Sequence, residues 1–162
     1  MHLEIERKFV PSAAPDSALL GAGVALRQGY LAEEGDTTVR LRVVDGSAIV
    51  TIKTGRGLAR TEVEVPITAS EAEALWPATE GRRVQKVRYR VPLNDGGAAD
   101  RGPLIAEIDL YGGDLAGLCT IEVEFTSVEA ADSFDPPEWF GREVTGDRRW
   151  TNNVLAREGR PS

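Results

Sequence analysis

Two carboxylates and an ammonium occupy alternate positions near the start of the chain, in Glu4, Glu6 and Lys8. Side chains on a strand alternate faces, so these three share one surface while Leu3, Ile5, Arg7 and Phe9 take the other. The same spacing returns in Arg40 and Arg42, in Lys53, in Glu62 and Glu64, in Lys86, Arg88 and Arg90, in Glu107 and Asp109, and in Glu122 and Glu124. Each segment is nearly of one sign. If these surfaces enclose a cavity, seven basic side chains and eight carboxylates meet in it. The cations would bind an anion, and the carboxylates would repel it unless hard divalent cations bridged the two; Mg²⁺ and Mn²⁺ prefer oxygen ligands. A polyphosphate with bound metal meets both demands. Arginine and lysine hold phosphoryl oxygens, metal offsets charge at the attacked and leaving oxygens, and a positioned water attacks. Such chemistry needs no Ser, Cys or His nucleophile.

The elements that must position these groups are mostly strands. Apolar/polar alternation predicts them near 2–9, 26–31, 37–45, 47–54, 60–67, 84–92, 104–111 and 119–126, separated by turns such as Asp45-Gly46 and Asn94-Asp95-Gly96-Gly97. Thr68 followed by Glu71 is a capping-box pattern ahead of Ala72, Ala74, Leu75 and Trp76, which predicts a helix over 69–78. Asp135-Pro136-Pro137-Glu138 starts another short helical turn, and shorter helical pieces are expected near 15–20, 128–133 and 151–156. No repeat, linker or second domain interrupts the pattern, so residues 1–162 read as one domain.

The faces opposite the charges read Val39, Leu41, Val43; Ile52; Val63, Val65; Val87, Tyr89, Val91; Ile108, Leu110; and Ile121, Val123, Phe125. One face is apolar and one ionic, and the period alone does not say which points inward. Like charges two residues apart lie roughly 7 Å from each other, repelling by about 0.6 kcal/mol in water and about 2.4 kcal/mol at an effective dielectric of 20. Exposed, the arrangement costs little; enclosed, it needs counter-ions.

With 162 residues, 41% of them hydrophobic and 28% charged, the chain is long enough to bury a core. Its net charge of -7 argues against nucleic acid or an anionic membrane surface as partner, since either selects a basic field. No apolar run approaches the roughly 20 residues that span a bilayer, and the amino terminus lacks the basic and apolar regions of a signal peptide, so the expected location is the cytoplasm. One cysteine and one histidine, Cys119 and His2, allow neither an internal disulfide nor a Cys- or His-rich zinc site.

Glu4-x-Glu6-x-Lys8 resembles the E-x-E-x-K signature of the CYTH superfamily, also called triphosphate tunnel metalloenzymes. Gln28-Gly29-Tyr30-Leu31, Thr38-Val39-Arg40-Leu41-Arg42, Thr51-Ile52-Lys53, Glu62-Val63-Glu64, Lys86-Val87-Arg88-Tyr89, Glu107-Ile108-Asp109, Glu122-Val123-Glu124 and Glu143-Val144-Thr145 look like its successive motifs, in the family's order and over nearly the whole chain. The resemblance implies an α+β, mainly β fold: an eight-stranded antiparallel closed barrel, the triphosphate tunnel, with flanking helices and a polar lumen. It implies that Lys8, Arg40, Arg42, Lys53 and Arg88 hold phosphate oxygens and that Glu4, Glu6, Glu122 and Glu124 hold Mg²⁺ or Mn²⁺ with Asp109 assisting. Lys86 would sit near the attacking water, as the catalytic residue. Glu62, Glu64 and Glu107 either join the metal set or orient the cations through ion pairs. In the late motif Glu143–Asn153, Trp150 stands where the family more often has Tyr, and the segment reads as tunnel-end packing; Trp76, Trp139 and Phe140 read as helix-to-barrel packing.

The family's reactions include hydrolysis of inorganic triphosphate, hydrolysis of thiamine triphosphate, and cyclisation of ATP to cyclic AMP, and the shared tunnel does not choose among them. The compact length and the Gln28–Leu31 and Glu143–Asn153 motifs look most like small bacterial inorganic triphosphatases. The resemblance therefore implies metal-dependent hydrolysis of inorganic triphosphate to pyrophosphate and phosphate. A class IV-like adenylate cyclase or thiamine triphosphatase is the enzymatic alternative, and a triphosphate- or polyphosphate-binding module the non-enzymatic one. The partner is a triphosphate or nucleoside-triphosphate small molecule, and a homodimer is the assembly the family suggests.

Overall fold

The computed structural model describes residues 2–56, 59–93 and 103–162, except that the side chains of His2, Leu3 and Ala59 are outside it. The predicted turn at Asn94–Gly97 falls outside the described residues. Strands run over β1 (His2–Val10), β2 (Gly23–Glu34), β3 (Thr37–Val44), β4 (Ser47–Thr54), β5 (Ala59–Ile67), β6 (Arg83–Pro92), β7 (Ile105–Tyr111), β8 (Cys119–Glu124) and β9 (Arg142–Glu143). They form one sheet in the order β5, β4, β3, β2, β6, β7, β8, β1, β9, and the further pairing of β5 with β1 closes eight of them into a barrel. Every pairing is antiparallel. Closure removes the exposed edges that an open sheet of this length would present.

The local chemistry agrees with these boundaries. Asp45 and Gly46 both have positive φ, at 46° and 78°, between the paired residues Val44 and Ser47. That is the two-residue hairpin whose backbone twist matches the twist of the flanking strands. Among the described residues four short α-helices flank the strands: α1 (Ser17–Leu20), α2 (Ala69–Leu75), α3 (Val128–Ser133) and α4 (Asn152–Glu158). The capping box before α2 is formed, with Glu71 N donating to Thr68 Oγ1 at 3.2 Å and Thr68 N donating to Glu71 Oε2 at 2.7 Å. A 3₁₀ turn over Trp76–Thr79 carries the predicted helix to its end. Another occupies Glu138–Phe140, after the two prolines.

The two faces of the strands separate as the alternation requires, and their sense is now fixed. The apolar faces point outward. Ile5, Phe9, Val91, Ile108, Ile121 and Val123, from β1, β6, β7 and β8, form one cluster with Leu20 of α1, Ala131 of α3 and Phe140. Leu41 and Ala48, from β3 and β4, pack under Ala72 of α2 with Trp76 alongside. The ionic faces point into the barrel. One end of the barrel is closed by a third cluster of Val84, Tyr111, Leu118, Trp150 and Leu155, in which the α4 region packs against β6 and β7. No described helix is long and apolar enough to cross a membrane.

Candidate active site

Cross-strand register decides which charges meet. Lys8 lies opposite Glu122, Arg88 opposite Asp109, Arg90 opposite Glu107, Lys53 opposite Glu62, and Glu4 opposite Arg60. Directly opposed residues share a face, so these segments meet in pairs of opposite sign on the inner wall, while Glu6 opposes Glu124 and Glu107 opposes Glu122. Lys8 Nζ is 2.9 Å from Glu122 Oε1. Lys53 Nζ bridges Glu4 Oε2 at 2.6 Å and Glu62 Oε2 at 2.9 Å. Arg88 binds Asp109 through Nε at 2.7 Å and Nη2 at 2.8 Å, reaches Glu122 at 3.2 Å, and donates through Nη1 to Glu107.

These side chains line a cavity of about 940 Å³. Its wall includes Glu4, Glu6, Lys8, Arg40, Arg42, Lys53, Arg88, Glu122 and Glu124, so four of the five carboxylates and all five cations expected to bind metal and phosphate face one space. Depth is graded along β6: the side chain of Arg90 is 65% exposed at the mouth, that of Arg88 14%, and that of Lys86 0%. Lys86 and Asp109 are not on the cavity wall. They lie below it, paired at 2.5 Å toward the plugged end, where Tyr111 Oη donates to Asn152 Oδ1 at 2.6 Å. Of the three undecided carboxylates, Glu62 and Glu107 line the cavity in ion pairs, while Glu64 is exposed and accepts a long 3.5 Å bond from Thr51.

The C-terminal segment is part of the site as well as its packing. Trp150 is buried in the end cluster as expected. In addition, Lys8 N donates to Thr145 Oγ1 at 2.9 Å and Val144 N donates to Lys8 O at 2.8 Å, so this segment fixes the backbone that carries Lys8. Trp76 and Phe140 pack on the outside of the barrel, and Trp139 stacks edge-on against Phe140 at 4.6 Å.

Charge is distributed unevenly across the lumen. Among the described residues neither Arg40 nor Arg42 pairs with a carboxylate: Arg40 Nη2 donates to Thr51 Oγ1 at 3.2 Å, and Arg42 Nε donates to Gln28 Oε1 at 3.4 Å. The buried Arg40 Nε has no acceptor among them at all. Burial, then Arg40 and Arg88, push the Arg42 guanidinium down to about 10. On the facing wall, burial and the neighbouring Glu122 raise the Glu6 carboxyl, with Arg60 and Lys53 opposing. Burial works in the same sense on Glu122, yet Lys8 and Arg88 hold it well below the usual carboxylate range. The cavity thus has a cationic side short of counter-charge and an acidic side covered by the chain's own cations.

The acidic side carries the donor type of a hard divalent ion. Glu4, Glu6, Glu122 and Glu124 offer carboxylate oxygens on the adjacent strands β1 and β8, the donor type Mg²⁺ and Mn²⁺ take. Among the described residues no three Asp, Glu, His or Cys side chains are grouped closely enough to hold a metal ion. Lys53 binds Glu4, Arg60 binds Glu6, and Lys8 and Arg88 bind Glu122, so the chain's own cations already hold three of the four. The set fits a hard divalent ion in donor type.

Arg60 was not among the expected site residues. It lines the cavity and binds Glu6. The period-two rule puts it on the face of Glu62, so the signal was present in Arg60-Thr61-Glu62.

No family model matches the chain. It is 46% identical over 154 residues to an inorganic triphosphatase of Nitrosomonas europaea, covering 94% of this chain and 96% of that protein. It is 35% identical over 159 residues to an inorganic triphosphatase of Acetivibrio thermocellus, covering 97% of this chain and 95% of that protein. The crystal structure of the inorganic triphosphatase NE1496 matches with a TM-score of 0.70 at 41% identity, covering 99% of each chain.

Proposed function

The chain belongs to the inorganic triphosphatase family, and from that membership and its CYTH-like motifs we propose that it hydrolyses inorganic triphosphate to pyrophosphate and orthophosphate with Mg²⁺ or Mn²⁺ in its tunnel. The observation that carries this reading is the pair of buried Arg40 and half-buried Arg42, side by side on β3 with no carboxylate partner among the described residues. Enclosed like charges of this kind need an anion, and a triphosphate supplies several oxygens per phosphorus for guanidinium N–H groups to bind. Arg40, Arg42, Lys8, Lys53 and Arg88 are the proposed phosphate ligands. Their spread over β1, β3, β4 and β6 would grip an extended chain of phosphoryl groups from several sides at once.

Glu4, Glu6, Glu122 and Glu124 are the proposed holders of the metal; when bound, it offsets charge on the attacked and leaving phosphoryl oxygens and polarises water. Asp109 assists through the cations it holds, since both of its oxygens accept from Arg88 and one also accepts from Lys86. Lys86 is the proposed catalytic residue. Burial lowers its ammonium to about 8, against the pull of Asp109, which suits a group that takes up and releases a proton near neutral pH. The closed barrel wall excludes bulk water from the deep end, where electrostatic interactions are strongest. The proposed setting is the cytoplasm.

The test is phosphate release by the full chain from triphosphate, thiamine triphosphate, ATP and long-chain polyphosphate, with Mg²⁺, with Mn²⁺ and with excess chelator. Triphosphate turned over in either metal, with phosphate and pyrophosphate in equal amounts and no turnover in chelator, is the expected result. Equal turnover in chelator overturns the metal requirement. Tight binding without release identifies a binding module, and cyclic AMP from ATP identifies a cyclase.

A further inference from the structure

Arg60 enters the lumen from the start of β5, directly opposite Glu4 in the β1 ladder. Its guanidinium binds Glu6 Oε1 through Nη2, and the same Nη2 is 3.9 Å from Glu4 Oε2. The side chain is 21% exposed, and its buried Nε has no acceptor among the described residues. Arg60 thus holds Glu6 and stands beside Glu4, which Lys53 binds at 2.6 Å, with one donor unspent.

We propose that Arg60 is a built-in counter-cation that competes with the divalent ion for Glu4 and Glu6 and, once displaced, turns its guanidinium to the phosphoryl oxygens of the substrate. The inference rests on the metal reading above and adds a positioning residue to it. Two like-charged glutamates on one enclosed strand face repel each other, so in the metal-free protein some cation must sit between them. A guanidinium does this while keeping the wall intact. It cannot remain there when a metal takes the same oxygens, because two cations would then crowd one pair of acceptors. Displacement frees the Nη groups as well as Nε, on a residue of the cavity wall that also carries Lys8, Lys53 and Arg88. Metal entry would in this way add a cation to the phosphate side as it neutralises the acidic side.

Arg60→Gln separates the two halves of the exchange. Calorimetric titration of the full chain with Mn²⁺ alone should give binding about tenfold tighter than wild type, since the competing charge-assisted contact is gone. The same variant should show a KM for triphosphate raised about tenfold at saturating Mn²⁺. Opposite movement of the two constants is not expected of a residue that only supports the wall. If Arg60→Gln fails to fold, Arg60→Lys retains the charge, and the ¹⁵N signal of the Arg60 Nε–H in the wild type, assigned by its loss in Arg60→Lys, should shift on addition of diamagnetic Mg²⁺. Mn²⁺ binding unchanged or weaker in Arg60→Gln, or an Nε–H signal that Mg²⁺ leaves in place, overturns the proposal alone. Absence of divalent binding in the wild type, with and without triphosphate, overturns the metal reading and this proposal with it.

Discussion

Lys86 Nζ donates to Asp109 Oδ2 at 2.5 Å, and neither side chain has any exposure to solvent. A buried pair of this kind is strongly destabilised when one partner is lost, because the other charge is left without compensation. Asp109 also holds two nitrogens of Arg88, which faces the cavity. Asp109→Asn should therefore cost about 3 kcal/mol of stability, measured by denaturant unfolding. It should weaken triphosphate binding as well, because Arg88 loses the carboxylate that orients it.

The same pair sets a pH dependence. Burial lowers the folded-state value of Lys86 to about 8 from 10.5, with Asp109 opposing. Between these values the unfolded chain binds more protons at this group than the folded chain does, so the group adds stability as pH rises across that window. Below it the penalty for burying the ammonium is complete. In Lys86→Met this part of the stability profile should flatten. For turnover, the neutral amine becomes the main form above about 8, so the wild-type rate should rise through that pH. Lys86→Ala should fall by about 100-fold or more and lose the rise. A pH–rate profile unchanged in Lys86→Ala would remove Lys86 from the proton-transfer role.

Arg7, on the outward face of β1, ties the barrel to its covering. It donates to Glu143 through Nε at 2.8 Å and Nη2 at 2.7 Å, and to the carbonyls of Ala131 and Phe134 through Nη1 at 2.9 Å and 2.7 Å. Its guanidinium also lies over the rings of Phe9 and Phe134, 5.4 Å and 5.7 Å from their centres. Lysine cannot reproduce this fork, so Arg7→Lys should cost about 2 kcal/mol. The hydrogen bonds from Arg7 hold Glu143 below its ordinary value of 4.5. The contribution is then complete above that value and is lost as pH falls through the lowered one, so the gap between wild type and Arg7→Lys should narrow in acid. Thermal melts of both proteins at neutral and acidic pH would show it.

Gly29 sits between two inward residues, Gln28 and Tyr30, on the outer face where the 3₁₀ turn rests. A Cβ built there would lie 2.4 Å from Thr79 Cβ, and Thr79 is fully buried. Gly29→Ala must lift the Trp76–Thr79 turn from β2 or distort the strand, at a cost of about 2 kcal/mol. Thr79→Ala in the same chain should leave part of that cost in place, because Thr79 Cβ remains, while Thr79→Gly should recover more of it. A melting temperature unchanged in Gly29→Ala would contradict this packing.

Eight strands were legible because they alternate long enough to be read, although β2 runs over Gly23–Glu34 and only 26–31 is predicted, whereas β9 has only Arg142 and Glu143 and shows no period. Alternation also sorted residues into two faces, but either face could have been the inner one; the CYTH-like order of motifs, and then the closure of β5 on β1, distinguished them. Arg60 is a single cation beside the repeated sign of Glu62 and Glu64, and only the period places it on their face. Glu64 shares that face by period and still lies outside the cavity, since a strand that runs beyond the lumen carries its last inward positions into solvent. The depth of Lys86 had no local signal. It depends on Tyr111, Trp150 and Leu155 closing one end of the barrel, contacts between segments far apart in the chain.

Arg42 exposes a conflict between stability and binding. Its guanidinium is pushed down to about 10 by burial and then by Arg40 and Arg88, so at neutral pH it is fully charged and the unfavourable field acts on it in full; relief comes only above about 10. Arg42→Gln removes the charge and retains an N–H donor for Gln28, which now accepts from Arg42 Nε. Without ligand the variant should be more stable than wild type by about 1 kcal/mol, raising the melting temperature by about 3 °C. Triphosphate binding should weaken by about tenfold or more, because a charge-assisted contact to phosphate is lost. The upward melting shift that triphosphate gives the wild type should shrink accordingly. Differential scanning calorimetry with and without triphosphate reads both effects in one experiment. A destabilised variant that keeps the whole ligand shift would mean that Arg42 supports the barrel wall and that the anion is held elsewhere.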